Sequence, residues 1–418
     1  MRDSTRLQPP RGFATASRHS EMKETLRLHL FFSVLATAAI VLFLCVQGAG
    51  EGTLPLPPKI KEGQEPHPVI ARAGFDRTGH YSTQSINWQR KVAWKTDTMG
   101  LRGFSHALLF NRKVYYVDGL GLRVYSADDG THLWTWNPKE RMNEYSHVVI
   151  DPLIYNETIF LSLWSPNNYT ALVALDANDG QILWQYKSDI VGDAQSPVIY
   201  KNDIIFSRGS YVISMDMETK KERWRFNAQE SVWNLTLYKD TLLFGTNKST
   251  TGMYAIDASN GKKKWNGSKN GVSLYYVPVS AGRMFIGEFT GVNAVDIETG
   301  GLVWSQNGVG YAMTEFAIDN DTVYGGSLKG LFALDKATGA IRWINKALID
   351  AGPPSIAGNV LYVASHHKIT AVNKKTGRVI GSVKGLGFYS LDASITIYAN
   401  RIFVPGGKPS DFKLYCIE

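Results

Sequence analysis

Seven tryptophans (Trp94, Trp134, Trp184, Trp224, Trp265, Trp304 and Trp343) recur along the chain at intervals that are, by subtraction, 40, 50, 40, 41, 39 and 39 residues. Several close the same short motif. Ala174-Leu175-Asp176 leads through Gly180 to Trp184, and the pattern returns from Ala255 to Trp265, from Ala294 to Trp304 and from Ala333 to Trp343. A weaker copy runs from Ala371 to Gly377 and has Gly381 where Trp is expected. Self-similarity at about 40 residues is the signature of a β-propeller, with one four-stranded sheet per repeat.

A second series of landmarks counts the blades. Upstream of each Asp turn lies a tight polar or Gly turn between apolar alternating runs, as short hairpins require. The copies are Asn111-Arg112, Asn156-Glu157, Asn202-Asp203, Asp240-Thr241, Gly282-Arg283, Asp321-Thr322, Asn359-Val360 and Asn400-Arg401. That makes eight hairpins. The first Trp has no hairpin before it, and the last hairpin has no Trp after it. A split blade reconciles the two, with three strands from the C-terminus and one from the N-terminus, and it leaves no open edge in the ring. The expectation is an all-β, eight-bladed propeller over residues 86–418, preceded by one N-terminal hydrophobic helix.

Within a repeat the chemistry reads as structural. The Asp bonds its own backbone to begin a turn, and the Gly supplies positive φ. The Trp is expected to lie across the next blade and bury a large apolar area. Asp176, Asp216, Asp257, Asp296 and Asp335 are therefore read as turn formers rather than as acids or metal ligands.

The motif Ala-(Leu/Ile/Val)-Asp-x-x-(Thr/Asn)-Gly-x-x-x-Trp resembles the pyrroloquinoline-quinone-like repeat of the quinoprotein alcohol dehydrogenase-like superfamily. The segment from Gly74 to Ser82 also looks like the lead-in of such proteins. That resemblance implies either a quinone-dependent dehydrogenase or a non-catalytic member such as the outer-membrane assembly scaffold protein. The dehydrogenases of this fold are longer, and many carry adjacent cysteines. This chain has two cysteines, Cys45 and Cys416, and its repeats are mostly too short to build a chamber. No convergent Glu, Asn and Asp set for calcium and quinone can be assembled from its loops, and no other catalytic spacing appears. His366-His367 reads as a solvated turn rather than a metal site. The expectation is no cofactor and no metal, with PQQ and calcium only under the enzymatic alternative.

Four regions precede or form the propeller. Residues 1–27 are basic and read as disordered, 28–47 as a signal anchor or signal peptide, 48–68 as a Pro-rich tether and 69–418 as the propeller. Arg2, Arg6, Arg11, Arg18, Lys23 and Arg27 outnumber Asp3, Glu21 and Glu24 before the apolar run. That bias predicts a propeller on the luminal or extracellular side, either type II membrane-anchored or secreted. A start at Met22 would favour cleavage.

Sequons at Asn156, Asn168, Asn234, Asn247, Asn266 and Asn320 favour a secretory-pathway glycoprotein. Unmodified turn asparagines in a periplasmic protein are the alternative. Five of the six are placed in turns or loops, and Asn234 in a strand. No intramolecular disulfide is expected, and Cys416 is expected to be buried. The formal net charge of +8 is spread over surface strands and does not read as a nucleic-acid footprint.

The segments entering the innermost strands are unusually aromatic and polar. Phe104, His106, Tyr145, Trp233, Tyr276, Tyr311, Glu315, Tyr389 and Asp392 are the candidate binding face there, although filling of the channel mouth would explain the aromatics equally. Trp164, in the one long repeat, is a second candidate contact. The function that follows is a protein-binding or assembly scaffold of unidentified partner, tied to a membrane through its N-terminal segment.

Overall fold

The computed structural model describes residues 69–418 except 75, 82–85, 87–90, 98–105, 119–120, 143–146, 149–150, 165–169, 247–251, 268–275, 313–314, 350, 366–367, 387–394 and 409–410. Phe104, Tyr145, Tyr389, Asp392, Asn168, Asn247, His366 and His367 lie outside the described residues, as do residues 1–68 with the apolar segment. Among the described residues no helix is long and apolar enough to cross a membrane.

The strands form eight sheets, antiparallel within each blade. Blade 1 comprises Leu108–Phe110, Lys113–Val117, Leu122–Ser126 and His132–Trp136. Blades 2 to 7 repeat that plan in chain order, with innermost strands at Leu153–Tyr155, Ala194–Tyr200, Val232–Tyr238, Val279–Ser280, Ala317–Ile318 and Ser355–Ala357. Blade 8 joins Thr396–Tyr398, Arg401–Lys408 and Asp411–Ile417 to the N-terminal strand Val92–Lys95, which pairs with the last of them. The split closing blade expected from the sequence is thus present. Cys416 is fully buried in it.

The hairpins are tight because their turn residues accept left-handed backbone. Asn111 and Arg112 have φ of 47° and 59°, and Ala399 and Asn400 have 46° and 65°. Two successive positive φ values match the twist of the strands they join.

Each tryptophan reaches the next blade. The indole N–H groups of Trp94, Trp224, Trp265, Trp304 and Trp343 donate to the carbonyls of Ala127, Ala258, Ile297, Lys336 and Lys374 at 2.6–3.2 Å. Each ring lies flat on the turn glycine of that blade. A Cβ on Gly339, where φ is +74°, would sit 2.5 Å from the Trp304 ring. Thus the glycine serves both the turn and the joint. The preceding aspartates cap the turns as expected: Asp335 accepts from the amide of Thr338 at 2.9 Å and Asp257 from that of Ser259 at 2.8 Å.

The two departures in the repeat have physical reasons. Blade 3 carries Lys220 where glycine is expected, with φ of 60°, and its ammonium lies 4.5 Å from the centroid of the Trp184 ring. A cation over an indole face partly offsets that conformation. Gly381 replaces Trp in blade 7 because blade 8 is closed by strands from opposite ends of the chain. No connecting turn exists there for an indole to cover.

Candidate functional site

The hairpins give a common register for the innermost strands. Their last paired residues are Phe110, Tyr155, Tyr200, Tyr238, Ser280, Ala357 and Tyr398 in blades 1 to 5, 7 and 8. Asp319, whose amide bonds the carbonyl of Thr322, is the blade 6 equivalent. Counting back four residues from each reaches His106, Asp151, Ser196, Asn234, Tyr276, Glu315, Pro353 and Ser394. One residue per blade therefore occupies one level of the innermost strands. Ser394 lies outside the described residues, and the other seven are all buried.

Five of these residues bond to one another. Nδ1 of His106 lies 2.8 Å from Oδ2 of Asp151, and its backbone amide donates to the other carboxylate oxygen. Nε2 of the same ring lies 3.4 Å from Oε2 of Glu315. The Tyr276 hydroxyl lies 3.0 Å from Asp151 and 2.8 Å from Oγ of Ser196. Two arginines from the segment before the first blade complete the group. Nε of Arg72 is 3.3 Å from Oε2 of Glu315, and the Arg77 guanidinium sits 3.9 Å above the Tyr276 ring centroid. Both arginines are 1% exposed.

The electrostatics follow from that pairing. Burial alone would push His106 towards its neutral form, but the Asp151 and Glu315 carboxylates outweigh it and lift the imidazole to about 9. Burial would raise both carboxyls, yet His106 holds Asp151 below its ordinary range, and His106 with Arg72 does the same for Glu315. Burial, with Asp151 adjacent, drives the Tyr276 hydroxyl well above its usual value. At neutral pH the cluster is a set of ionised pairs around a cationic histidine. A histidine held at both ring nitrogens and protonated is a brace, not a poised general base.

A calcium-bound quinone needs carboxylate and amide oxygens free to converge. Among the described residues the axial carboxylates Asp151 and Glu315 face cations, and Arg77 covers the Tyr276 ring. Among the described residues no group of three or more His, Cys, Asp or Glu side chains has the geometry to hold a metal ion. The donor set that the described residues present on the axis does not fit that cofactor.

Of the residues singled out from the sequence, the structure brings together His106, Tyr276 and Glu315. Tyr276 is 4% exposed and faces inward rather than outward. Trp233, near the start of the innermost strand of blade 4, and Trp164, at the end of the second strand of blade 2, are half-buried. Tyr311 is half-buried, its ring tilted against that of the exposed Phe289 with centroids 5.5 Å apart. Asp151, Ser196, Arg72 and Arg77 were not singled out, although counting back from the hairpins finds the first two.

Asn156, Asn266 and Asn320 are exposed, but Asn266 lies in the outer strand Lys263–Gly267 rather than in a loop, because that edge strand extends past Trp265. Asn234 is in a strand as expected, 8% exposed.

An eight-bladed ring with this Trp and Gly joint defines a PQQ-like repeat propeller. The family model described as outer membrane protein assembly factor BamB matches residues 81–267, 266–345 and 331–404, and the chain belongs to that family. No curated protein sequence matches it. Among solved structures, the quinohemoprotein alcohol dehydrogenase of Comamonas testosteroni is similar over 83% of this chain and 79% of its own, with 14% identity and a TM-score of 0.64. BamB of Moraxella catarrhalis is similar over 78% of this chain and 98% of its own, with 17% identity and a TM-score of 0.57. The computationally designed protein Ika8 is similar over 80% and 99%, with 13% identity and a TM-score of 0.58. Likeness at such identities establishes the fold alone.

Proposed function

We propose that the chain is a non-catalytic scaffold that holds a protein partner, on the luminal or extracellular side of a membrane or as a secreted protein. The observation that carries this reading is the internal pairing of the axial ring, which leaves His106, Asp151 and Glu315 engaged with one another and with Arg72. The BamB-type family supports it. So do Phe289, 57% exposed, and Leu328, also 57% exposed, which stand in the connections between second and third strands of blades 5 and 6. The amide of Leu328 bonds the carbonyl of Tyr311, whose ring lies 5.5 Å from that of Phe289 between centroids. Apolar side chains in that setting are the anchors that protein interfaces use.

The second reading is a quinone-dependent oxidoreductase acting on alcohols or sugars, favoured by the likeness to the Comamonas enzyme. Calorimetric titration of the folded protein with pyrroloquinoline quinone and calcium separates the two. The scaffold reading expects no saturable heat and no dye-linked alcohol oxidation. Tight saturable binding with turnover would replace it with the enzymatic one. Glycan mapping addresses the compartment, with occupancy expected at exposed Asn156 and Asn320 and none at buried Asn234.

A further inference from the structure

The innermost strands present unused backbone groups to the channel, and the segment before the first blade takes them up in a regular way. The amides of Ile154, Val279, Ile318 and Ile356 donate to the carbonyls of Val69, Asp76, Thr78 and Gly79 at 2.8–3.0 Å. All four are the residue just before the last paired position of their strand, in blades 2, 5, 6 and 7. The carbonyls of Leu235, Phe316, Pro354 and Ile395 lie two residues earlier, in blades 4, 6, 7 and 8. They accept from Arg77, from Arg72 twice, and from the Tyr81 hydroxyl at 2.6–3.3 Å. Thus four donors and four acceptors lie at two fixed levels of the ring, and one short segment captures them all, although the Ile395 carbonyl also accepts from Ser355 and, in blade 1, the Ala107 carbonyl at that level accepts from Thr396 instead. The segment also pairs as a strand, with Val69 antiparallel to Ile154 and His80–Tyr81 parallel to Ile356–Ala357.

We propose that the channel is a peptide-binding site, and that residues 69–81 are its ligand, bound in cis as an axial latch. Recognition rests on backbone pairing, as in strand addition, with two arginines five residues apart as anchors. Glu315 receives one guanidinium and the face of Tyr276 the other. Arg72, Ala73, Arg77 and Gly79 all have φ between 57° and 68°. A Cβ on Gly79 would lie 2.5 Å from the Arg72 guanidinium, so only glycine lets that side chain cross the segment. The segment folds on its own bonds, from the amide of Gly79 to the Arg72 carbonyl at 2.9 Å and from that of Arg77 to the Gly74 carbonyl at 3.0 Å, and the channel's donors and acceptors hold that unfavourable conformation in place. The latch therefore docks and undocks as a unit while the blades, closed by their own strand pairing, remain intact.

Hydrogen exchange on the full chain tests this. In the wild type the amides of Val69 and Gly79, with those of Ile154, Val279, Ile318 and Ile356, are expected to be protected. In Arg72→Ala/Arg77→Ala the same set is expected to exchange roughly 100-fold faster, while central-strand amides within the blades keep their rates. Three results would each overturn the latch: an unprotected segment in the wild type, an unchanged segment in the variant, or blade amides that accelerate as much as the segment. Arg77→Lys, which keeps the charge but gives up the bond to Leu235, reads the same amides if the double variant does not fold. Acceleration confined to the segment supports the latch there too, and uniform acceleration contradicts it.

Discussion

The perimeter of the ring and its axis solve different problems with the same backbone. At the perimeter one joint recurs: in five of them an indole lies on a glycine with its N–H on a carbonyl of the next blade, while Trp134 covers Gly180, Trp184 covers Lys220 and Gly381 leaves blade 7 without an indole. On the axis only serine recurs in the sequence, at Ser196 and Ser394, and the other six blades each contribute a different residue type at the same register. Repetition goes far towards closing the ring, because most joints bury the same kind of surface. Individual chemistry is left to the positions that face the channel, where one change per blade does not disturb the joints.

Substitutions at the two regions are expected to separate this way. The largest effect falls on the perimeter at the closing seam: Trp94→Ala removes an indole that is 2% exposed and should cost about 4 kcal/mol in equilibrium denaturation. A loss under about 1 kcal/mol would show that the joints do not hold the blades together. Next comes Glu315→Ala on the axis, which strips the shared carboxylate from Arg72 and His106 and should cost about 3 kcal/mol. If it proves neutral, the axial pairs are not a brace. Gly339→Ala forces both a left-handed residue and a contact with Trp304, for about 2 kcal/mol, and fluorescence of that indole should shift. Lys220→Gly is the smallest, under about 1 kcal/mol, since relief of a positive φ offsets the lost cation–indole contact. A large loss there would mean that the lysine carries more of the joint than the glycines do elsewhere.

The perimeter was legible in the sequence because periodicity reports what repeats. Trp94 to Trp343 fixed the period, the hairpins fixed the count, and their mismatch located the split blade. The axis is periodic in register but not in residue type, so a search for recurring motifs passes over it. His106, Tyr276 and Glu315 stood out only because they lie in aromatic or polar segments. Asp151 lies outside such a segment, because the polar cluster around Tyr145 sits further from the hairpin than the register position does. Arg72 and Arg77 precede the first blade, where no repeat exists to assign them a place. Gly381 was visible as a broken motif, but its reason needs the closure geometry of blade 8.

The ionisation of His106 tests most directly whether the axis is a closed brace. Its folded value, raised to about 9 from an ordinary 6.5, means that its contribution to stability is complete below about 6.5 and fades as pH rises through about 9. Asp151 and Glu315, held below their ordinary ranges, add stability that is present above those ranges and is lost as pH falls through their folded values. A nitrogen-15 NMR titration of the histidine rings in the full chain reads His106 alone against a His106→Gln spectrum. Both ring nitrogens should remain protonated through pH 8. Titration between pH 5 and 7, with a single neutral tautomer above it, would contradict the brace and place a free base on the axis.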